Sequence, residues 1–484
     1  MSFTPVLEVE SPQAHEAHEA HEPPTIKDAR FEWFTQARFG LFLHFGLYSI
    51  LGGAWKGIQT NGSPCGDKAT EDRSDHYCGY AEWIRENGQI PLAAYNQLAS
   101  QWDPSNFNPK AIAALAKEAG MGYVVLTTKH HEGFALWPSN APGAWSVKDA
   151  KNTRDAVLEL ANAVRNAGLK MGLYYSIMDW HHDLYVPRRT WESHSRPRLT
   201  SNLTEGYLDF MHAQLRELLT SKGEISIVWF DGEWEKTWSH EYAVQTYALI
   251  RSLNPNVLVN NRVDVYRKGF GGFSTKYVPA GVTPVGDFGT PEQNIPATGM
   301  GNTTWESCIT MNDNWGYHRA DRRYKSAGYL IRALVNTASK GGNLLLNVGP
   351  RPDGTLPEEA VGRLKRMGEW MRVHAEAIVG TRANPITQPI KCCKVTARDG
   401  AKGVVLFLFV LRVPADGWIM LPGTLNEPLR ASVMGTGKEL QVERRINWVA
   451  IRVDAGIVGT PNDPPRVVKL ELEGALEPVL PGDQ

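Results

Sequence analysis

Two kinds of segment alternate along residues 31–382. The first kind is short, apolar and rich in β-branched or aromatic residues, which predicts strands. These runs are residues 39–46, 123–131, 169–180, 225–234, 256–263 and 342–350. The second kind repeats apolar residues at intervals of three and four, which predicts helices. These stretches are residues 109–120, 153–168, 206–222, 239–253, 326–340 and 356–379. Pro109 suits a first helical position, and Thr153 can cap the second helix.

The alternation of strands and helices predicts βαβ units and a parallel sheet. The predicted strands are nearly continuous apolar runs, as in sheets that are covered on both faces. At least six such units within residues 31–382 fit a (β/α)8-like barrel with long insertions better than an open sheet. No glycine-rich phosphate turn follows the first strand, which disfavours a dinucleotide-binding fold.

The pattern changes after about residue 383. Strand-like runs at 404–413, 417–422, 447–453 and 466–474 are separated by Gly, Pro, Asn and Asp, without a helical stripe. Residues 383–484 are therefore predicted to form a small antiparallel β-sandwich. At the other end, residues 11–24 repeat His-Glu and close with two prolines, so residues 1–30 are predicted to be a disordered N-terminal tail.

Composition limits the kinds of partner, cross-link and compartment that we expect for the protein. The net charge of -1 predicts neither nucleic acid nor an anionic membrane surface as a partner, and no run of about twenty apolar residues predicts a membrane span. The five cysteines are odd in number and contain no C-x-x-C, which signals neither a disulfide framework nor a zinc site. The first residues do not resemble a signal peptide, so we expect a cytoplasmic protein. The 16 tryptophans could stack on sugars or fill the core.

Polar residues collect where the predicted strands end, which is where barrels of this type carry their chemistry. The residues are His44, His130, His131, Tyr174, Tyr175, Asp179, Asp231 and Arg262. Alone, His44 could be a hydrogen-bonded core histidine and Asp231 a turn residue. However, a carboxylate that follows the apolar run 225–230 is costly unless it is bonded, paired or functional. Five strands that deliver such residues to one rim indicate a functional site.

The trio His130, His131 and Glu132 could hold a metal, perform acid/base chemistry or bind a polar ligand. His44, the pair at 181–182 and Asp231 could extend a metal site, but no His-x-His lies on the first strand and no His-Glu-x-x-His motif is present. The Trp, Tyr and Arg residues near the strand ends suit a polyhydroxylated substrate better. Neighbouring residues of a strand point to opposite faces, so both histidines can meet one ligand only if the strand ends or bulges at Lys129.

Several of these stretches together carry a resemblance to a known family. They are ARFGLFLHFGLYS (37–49), YAEWIREN (80–87), YVVLTTKHHEGFALWPS (123–139), MGLYYSIMDWHH (171–182), VWFDGEW (228–234), GDFGTPEQNIP (286–296), WESCITMNDNWGYH (305–318) and SKGGNLLLNVGPRPDGTLP (339–357). They resemble, in order and spacing, the α-L-fucosidases of glycoside hydrolase family 29. The resemblance covers about Phe31 to Arg382.

This resemblance implies a retaining glycosidase with a barrel, a β-sandwich, no metal and no organic cofactor. Its nucleophile falls on Asp231 and its general acid/base on Glu292, with Glu306 as the rival. The residues implied to hold fucose are His44, Glu82, Trp83, His130, His131, Tyr174, Trp229 and Arg262. Tyr175 is the alternative to Tyr174. Glu132 stands where many relatives have Asp, and we expect it to orient a histidine or the loop.

The implied partner is a fucosylated oligosaccharide or glycoside. Two other functions stay open on the sequence alone: a non-catalytic fucose-binding relative and, less favoured, a metal-dependent barrel hydrolase. Linkage preference (α1,2, α1,3/4 or α1,6) and a homo-oligomeric state are also open.

Overall fold

The computed structural model describes residues 29–62, 76–192, 203, 205–266, 278–301, 303–460 and 462–476. Most of the tail predicted for residues 1–30 therefore lies outside the described residues. Its last two residues, Ala29 and Arg30, instead begin helix α1 (Ala29–Ala37).

Seven parallel strands form the main sheet. They are β1 (Phe39–Leu43), β2 (Tyr123–Lys129), β3 (Lys170–Ser176), β4 (Ile227–Asp231), β5 (Leu258–Val259), β6 (Glu306–Thr310) and β7 (Asn343–Val348). Their order is β5-β4-β3-β2-β1-β7-β6. Six of the seven match predicted strands, although the run 256–263 contributes only the two residues of β5. Strand β6 was not among the predicted strands.

An extended segment, residues 287–293, connects the two outer strands of this sheet. On one side, Asp287 N donates to Val259 O at 2.6 Å. On the other side, Glu306 N donates to Gly289 O at 2.8 Å, and Glu292 forms a parallel bridge with Cys308. The segment thus takes the place of an eighth strand, and the sheet closes into the predicted (β/α)8-like barrel.

Six long helices follow the barrel strands. They are α2 (Pro109–Glu118), α3 (Ala156–Asn166), α4 (Glu205–Ser221), α5 (His240–Leu253), α6 (Ala327–Ala338) and α7 (Glu358–His374). All six were predicted. The cap of α3 is Asp155, whose carboxylate accepts a hydrogen bond from Leu158 N at 2.8 Å, and not Thr153 as predicted. None of the described helices is long and apolar enough to cross a membrane.

Shorter elements fill the connections. Short α-helices span Tyr48–Leu51, Ile84–Asn87 and Leu92–Asn96. Short strands span Ala54–Trp55, Ile58–Thr60, His76–Tyr77, Phe134–Ala135 and Trp145–Ser146. Single 3-10 turns span Ala81–Trp83, Gln97–Gln101, Val147–Asp149, Thr190–Glu192, Asn261–Val263, Ala375–Ala377 and Ala455–Ile457. The connection between β1 and α2, together with the turn Asn261–Val263, lies near the carboxyl ends of the strands and contributes side chains to the site.

Eight antiparallel strands follow α7 within the part of the chain that the structure describes. They are β8 (Cys393–Asp399), β9 (Val404–Val410), β10 (Trp418–Pro422), β11 (Pro428–Val433), β12 (Glu439–Leu440), β13 (Val442–Arg445), β14 (Trp448–Arg452) and β15 (Arg466–Leu472). They form a five-stranded sheet, β8-β9-β15-β11-β12, and a three-stranded sheet, β10-β14-β13. This confirms the predicted sandwich. The predicted boundary at residue 383 falls between α7 and β8.

Strand β9 shows how the sandwich is attached to the barrel. Its residues alternate between two cores, as the two-residue period of a strand requires. Leu406 and Leu408 pack between the two sheets, whereas Phe407 and Phe409 pack into the core that surrounds the barrel. The strand is therefore buried on both faces, which explains its unbroken apolar sequence.

Candidate active site

A cavity of about 520 Å³ lies at the carboxyl ends of the barrel strands. All ten predicted site residues line it: His44, Glu82, Trp83, His130, His131, Tyr174, Trp229, Asp231, Arg262 and Glu292. They come from five barrel strands or the residues just after them, from the β1–α2 connection and from the segment that closes the barrel.

Two carboxylates in this cavity share one guanidinium group. Asp231, the last residue of β4, accepts a hydrogen bond from Arg262 Nη1 at its Oδ1 atom, at 2.7 Å. Glu292 Oε2 accepts from Arg262 Nη2 at 2.8 Å. The Tyr174 hydroxyl donates to Asp231 Oδ2 at 3.0 Å, and His131 Nε2 lies 3.5 Å from the same oxygen. Asp231 is therefore fixed by two hydrogen bonds, one from the Tyr174 hydroxyl and one from the Arg262 guanidinium.

Arg262 is itself held in place by two further neighbours, Thr290 and Trp229. Its Nε donates to Thr290 Oγ1 at 3.0 Å, and its guanidinium carbon lies 4.4 Å from the centre of the Trp229 ring. Burial lowers the pKa of Arg262, but the carboxylates of Glu292 and Asp231 outweigh that effect and hold the pKa well above its ordinary value. The guanidinium is therefore a permanent cation at the centre of the site.

Both histidines of the KHHE stretch reach the cavity because β2 stops just before them. The strand ends at Lys129, and its pairing with β3 shifts register between Thr127 and Lys129. The rings of His130 and His131 then lie 4.1 Å apart, on the same side. The expected end or bulge at Lys129 is thus confirmed.

Burial keeps three histidines of the site neutral. It lowers the pKa of His130 to about 3 and holds the pKa values of His44 and His131 well below 6.5. A neutral imidazole has one nitrogen that donates and one that accepts. Each ring can therefore hydrogen-bond a neutral ligand without introducing a charge.

The partners of two rings indicate which nitrogen carries the proton. His44 Nδ1 lies 2.6 Å from Asn347 Oδ1, and the amide nitrogen of Asn347 is engaged as a donor to Trp315 O. His131 Nδ1 lies 2.6 Å from Ser176 Oγ, whose hydroxyl donates to a backbone carbonyl. In both cases the partner oxygen must accept, so Nδ1 carries the hydrogen and Nε2 is left as an acceptor.

Glu82 adds a neutral acid to the cavity. It lies in the 3-10 turn Ala81–Trp83, and its Oε2 accepts a hydrogen bond from Gly316 N at 2.9 Å. Burial raises the pKa of Glu82 to about 8, so the side chain is largely protonated at neutral pH. Its Oε1 has no hydrogen-bond partner among the described residues. It is therefore available to a ligand hydroxyl.

Two candidates from the strand ends, Tyr175 and Asp179, lie outside the cavity. The Tyr175 hydroxyl donates to Gln214 at 2.7 Å, so the structure brings Tyr174 and not Tyr175 into the site. Asp179 pairs with Lys129 at 3.0 Å, and its Oδ1 accepts from the backbone nitrogens of His181 and His182. These residues support the loop after β3.

Two other glutamates, Glu306 and Glu132, lie behind the cavity wall. Glu306 accepts a hydrogen bond from Trp229 Nε1 at 3.2 Å and another from the Tyr123 hydroxyl. Burial raises the pKa of Glu306 to about 7. Glu132 Oε2 lies 3.5 Å from His130 Nδ1, and burial raises the pKa of Glu132 to about 8. Among the described residues, no group of three or more His, Cys, Asp and Glu is arranged to hold a metal ion.

Sequence reasoning missed several residues of the cavity wall. They are Phe42, Cys78, Gly79, Tyr80, Glu86, Asn87, Gln89, Trp191, Trp234, Cys308 and Trp315. Two of them could have been identified from their positions in the sequence. Phe42 lies two residues before His44 and so shares its face of the strand, and Trp234 lies three residues after Asp231. Cys78 is disulfide-bonded, which the cysteine count did not signal.

Comparison with known proteins supports one family. The sequence model described as Alpha-L-fucosidase matches residues 6–376. An α-L-fucosidase of Dictyostelium discoideum is 30% identical over 439 residues, which cover 85% of this chain and 84% of that protein.

Solved structures agree with this match. α-L-Fucosidase isoenzyme 1 from Paenibacillus thiaminolyticus has a TM-score of 0.76 and 32% identity, and the match covers 92% of this chain and 99% of that one. A covalent intermediate of a family 29 α-L-fucosidase from Bacteroides thetaiotaomicron, trapped with 2-fluoro-fucosyl fluoride, has a TM-score of 0.78 and 26% identity, with 94% and 98% coverage. From its matched length, its relatives and its fold, this chain belongs to the α-L-fucosidase family of retaining glycoside hydrolases.

Proposed function

We propose that this cavity releases terminal α-L-fucose with retention, with Asp231 as the nucleophile and Glu292 as the general acid/base. The observation that carries this proposal is the Arg262 guanidinium, which contacts the two carboxylates at 2.7 and 2.8 Å. Carboxylates on the two terminal nitrogens of one guanidinium are close neighbours. Retaining glycosidases use two neighbouring carboxyl groups, about 5–5.5 Å apart, one as the nucleophile and one as the acid/base.

In the first step, Asp231 attacks the anomeric carbon of fucose and forms a covalent fucosyl-enzyme. The attack needs an ionised carboxylate, and the hydrogen bonds from Arg262 and Tyr174 hold Asp231 in position for it. Glu292 protonates the leaving oxygen at the same time. In the second step, Glu292 takes a proton from a water molecule, which attacks the same carbon and frees fucose and Asp231.

Glu292 can act as the acid only when it carries a proton, whereas in the structure its Oε2 accepts a hydrogen bond from Arg262 Nη2 at 2.8 Å. We propose that the entering fucose competes for Arg262 Nη2 and loosens this contact, which frees Glu292 to protonate the leaving oxygen.

The other predicted residues are proposed to hold the sugar. The Nε2 atoms of His44 and His131 can accept from fucose hydroxyls, and protonated Glu82 can donate to one. The rings of Trp229 and Tyr174 are stacked 5.7 Å apart and offer apolar surface to the C–H faces and the methyl group of fucose. Such a pocket combines a few fixed polar groups with an aromatic lining.

The proposed substrates are fucosylated oligosaccharides or glycosides. A net charge of -1 supports neither a nucleic acid nor an anionic surface as a partner. The chemistry assigned above uses side chains alone and needs neither a metal nor an organic cofactor.

The Glu292→Gln variant tests the acid/base assignment. A poor leaving group needs protonation, so we expect kcat/KM for fucosyl oligosaccharides to fall by roughly 10²–10⁴. An activated aryl fucoside needs little protonation, and its rate of fucosyl-enzyme formation should change little. Glu306→Gln is the matched control, since Glu306 contacts Tyr123 and Trp229 behind the cavity wall. If Glu306→Gln shows this leaving-group dependence and Glu292→Gln does not, the assignment is wrong.

A further inference from the structure

The cavity extends beyond the proposed fucose-binding residues to a mouth formed by Trp191, Trp234 and Glu86. Trp234 is the exposed member of this group, with 45% of its surface accessible. Its ring centre lies 5.9 Å from that of His131, and His131 Nε2 lies 3.5 Å from Asp231. An exposed indole therefore stands one side chain away from the proposed nucleophile.

Other aromatic side chains lie beside this indole. Trp83 lies nearly parallel to Trp234, with 24° between the ring planes and 6.5 Å between their centres. Trp83 in turn meets Trp180 edge-on at 5.1 Å, and the guanidinium of Arg189 lies 5.0 Å from the Trp180 ring. Trp234 thus continues a group of aromatic side chains and presents a flat apolar surface to solvent at the mouth of the cavity.

The mouth also offers polar groups. Glu86 is held there by Trp191, whose Nε1 donates to Glu86 Oε2 at 3.0 Å, and by Arg189 Nε at 3.3 Å. Asn87 and Gln89, which follow Glu86 in the chain, also line the cavity. A flat indole beside side chains that can donate and accept is the combination that binds a sugar ring, whose faces carry C–H groups and whose edges carry hydroxyls.

We propose that Trp234 forms a subsite for the leaving group, in which its indole stacks on the sugar ring to which fucose is attached. This inference rests on the proposed function, because that function places fucose in the inner part of the cavity beside Asp231. The leaving group must then extend through the mouth. Fucosides of sugar or aryl alcohols are thus the substrates that this site favours, and a fucoside without a leaving-group ring gains nothing from Trp234.

The test compares substrates with and without such a ring. The variants are Trp234→Ala and Trp234→Phe. The substrate without a ring is fucosyl fluoride. The substrate with a ring is a fucosyl disaccharide, chosen as the one that the wild-type enzyme cleaves fastest among α1,2-, α1,3/4- and α1,6-linked disaccharides. Loss of an aromatic contact should lower kcat/KM of Trp234→Ala for the disaccharide by roughly 3- to 10-fold. Its kcat/KM for fucosyl fluoride should stay at the wild-type value, and Trp234→Phe should recover most of the loss.

Trp448→Ala is the matched control, because Trp448 is 42% exposed and lies in the sandwich on β14. It should leave both substrates unaffected. An equal loss on both substrates would mean that Trp234 shields fucose itself, and an unchanged disaccharide rate would mean that it binds nothing. Either result overturns the proposal. Failure of the proposed function can be distinguished from failure of the Trp234 subsite, because in the first case the wild-type enzyme would cleave neither substrate.

Discussion

Replacement of Glu306 by glutamine tests whether burial in the barrel raises the pKa of this carboxyl group. Glu306 is fully buried, and its two oxygens accept hydrogen bonds from Trp229 Nε1 and the Tyr123 hydroxyl. Burial raises the pKa of Glu306 from 4.5 to about 7, although these bonds and the charge of Arg262 oppose the shift. The proton is therefore bound more tightly in the folded protein than in the unfolded chain.

The sign and size of the effect follow from proton linkage. Where the folded state binds more protons than the unfolded state, the free energy of unfolding falls as the pH rises. This condition holds for Glu306 between pH 4.5, its unfolded pKa, and about 7. The difference of about 2.5 pKa units corresponds to a loss on the order of 3 kcal/mol across that interval. Above about pH 7 no further loss from this group is expected.

Glutamine has nearly the same shape and can still accept from Trp229, but it does not ionise. The Glu306→Gln variant should therefore lack this part of the pH dependence. Its stability relative to the wild type should rise by on the order of 3 kcal/mol between about pH 4.5 and pH 8. A pH-independent cost of about 1 kcal/mol is expected, because the amide group now faces the Tyr123 hydroxyl.

The assay is urea denaturation of the wild type, Glu306→Gln and a surface control, Glu118→Gln, at intervals between about pH 4.5 and pH 8. Glu118 is exposed in the last turn of α2, so its replacement should give a stability profile parallel to that of the wild type. If the Glu306→Gln profile is also parallel to the wild type, the carboxyl group does not titrate as burial predicts, and the reasoning fails.

Two further predictions concern single hydrogen bonds and ion pairs. Tyr174→Phe removes the hydroxyl that donates to Asp231, so kcat/KM for an aryl fucoside should fall by roughly 10- to 100-fold. Tyr175→Phe is the control and should keep the wild-type kcat/KM, because the Tyr175 hydroxyl contacts Gln214 outside the cavity. Equal losses in the two variants would contradict this. Lys129→Met leaves Asp179 buried and unpaired and should lower the free energy of unfolding by roughly 3–5 kcal/mol in urea denaturation. Lys151→Met breaks an exposed pair with Asp103 and should leave the urea denaturation midpoint close to that of the wild type, so similar losses at both positions would refute the argument from burial.

The strand ends explain why much of the site could be predicted. A buried parallel strand is apolar along its length, and its polar residues appear where it reaches the carboxyl edge of the sheet. That pattern marks His44, Tyr174 and Asp231 without any knowledge of the fold. Glu82 and Glu292 lie in a 3-10 turn and in the irregular closing segment, where no periodicity marks a functional side chain. Only the resemblance to a known family pointed to them.

Strand β6 shows why other parts could not be predicted. Its residues are fully buried, yet three of the five are polar. Ser307 Oγ donates to Asn294 O at 2.8 Å, and Thr310 Oγ1 donates to Asn312 O at 2.5 Å. These partners lie just after the closing segment and in the loop after β6. The strand therefore depends on tertiary hydrogen bonds that its own apolar pattern does not reveal.

The central claim is that Asp231 forms a covalent bond to fucose, and the Asp231→Ala variant tests it most directly. Turnover of an aryl fucoside should fall by several orders of magnitude, since the first step loses its nucleophile. Added azide should restore turnover and give fucosyl azide of inverted configuration, because the anion attacks only once, from the face that Asp231 occupied. Turnover at the wild-type rate without azide, or a restored reaction that yields azide of retained configuration, would contradict the account.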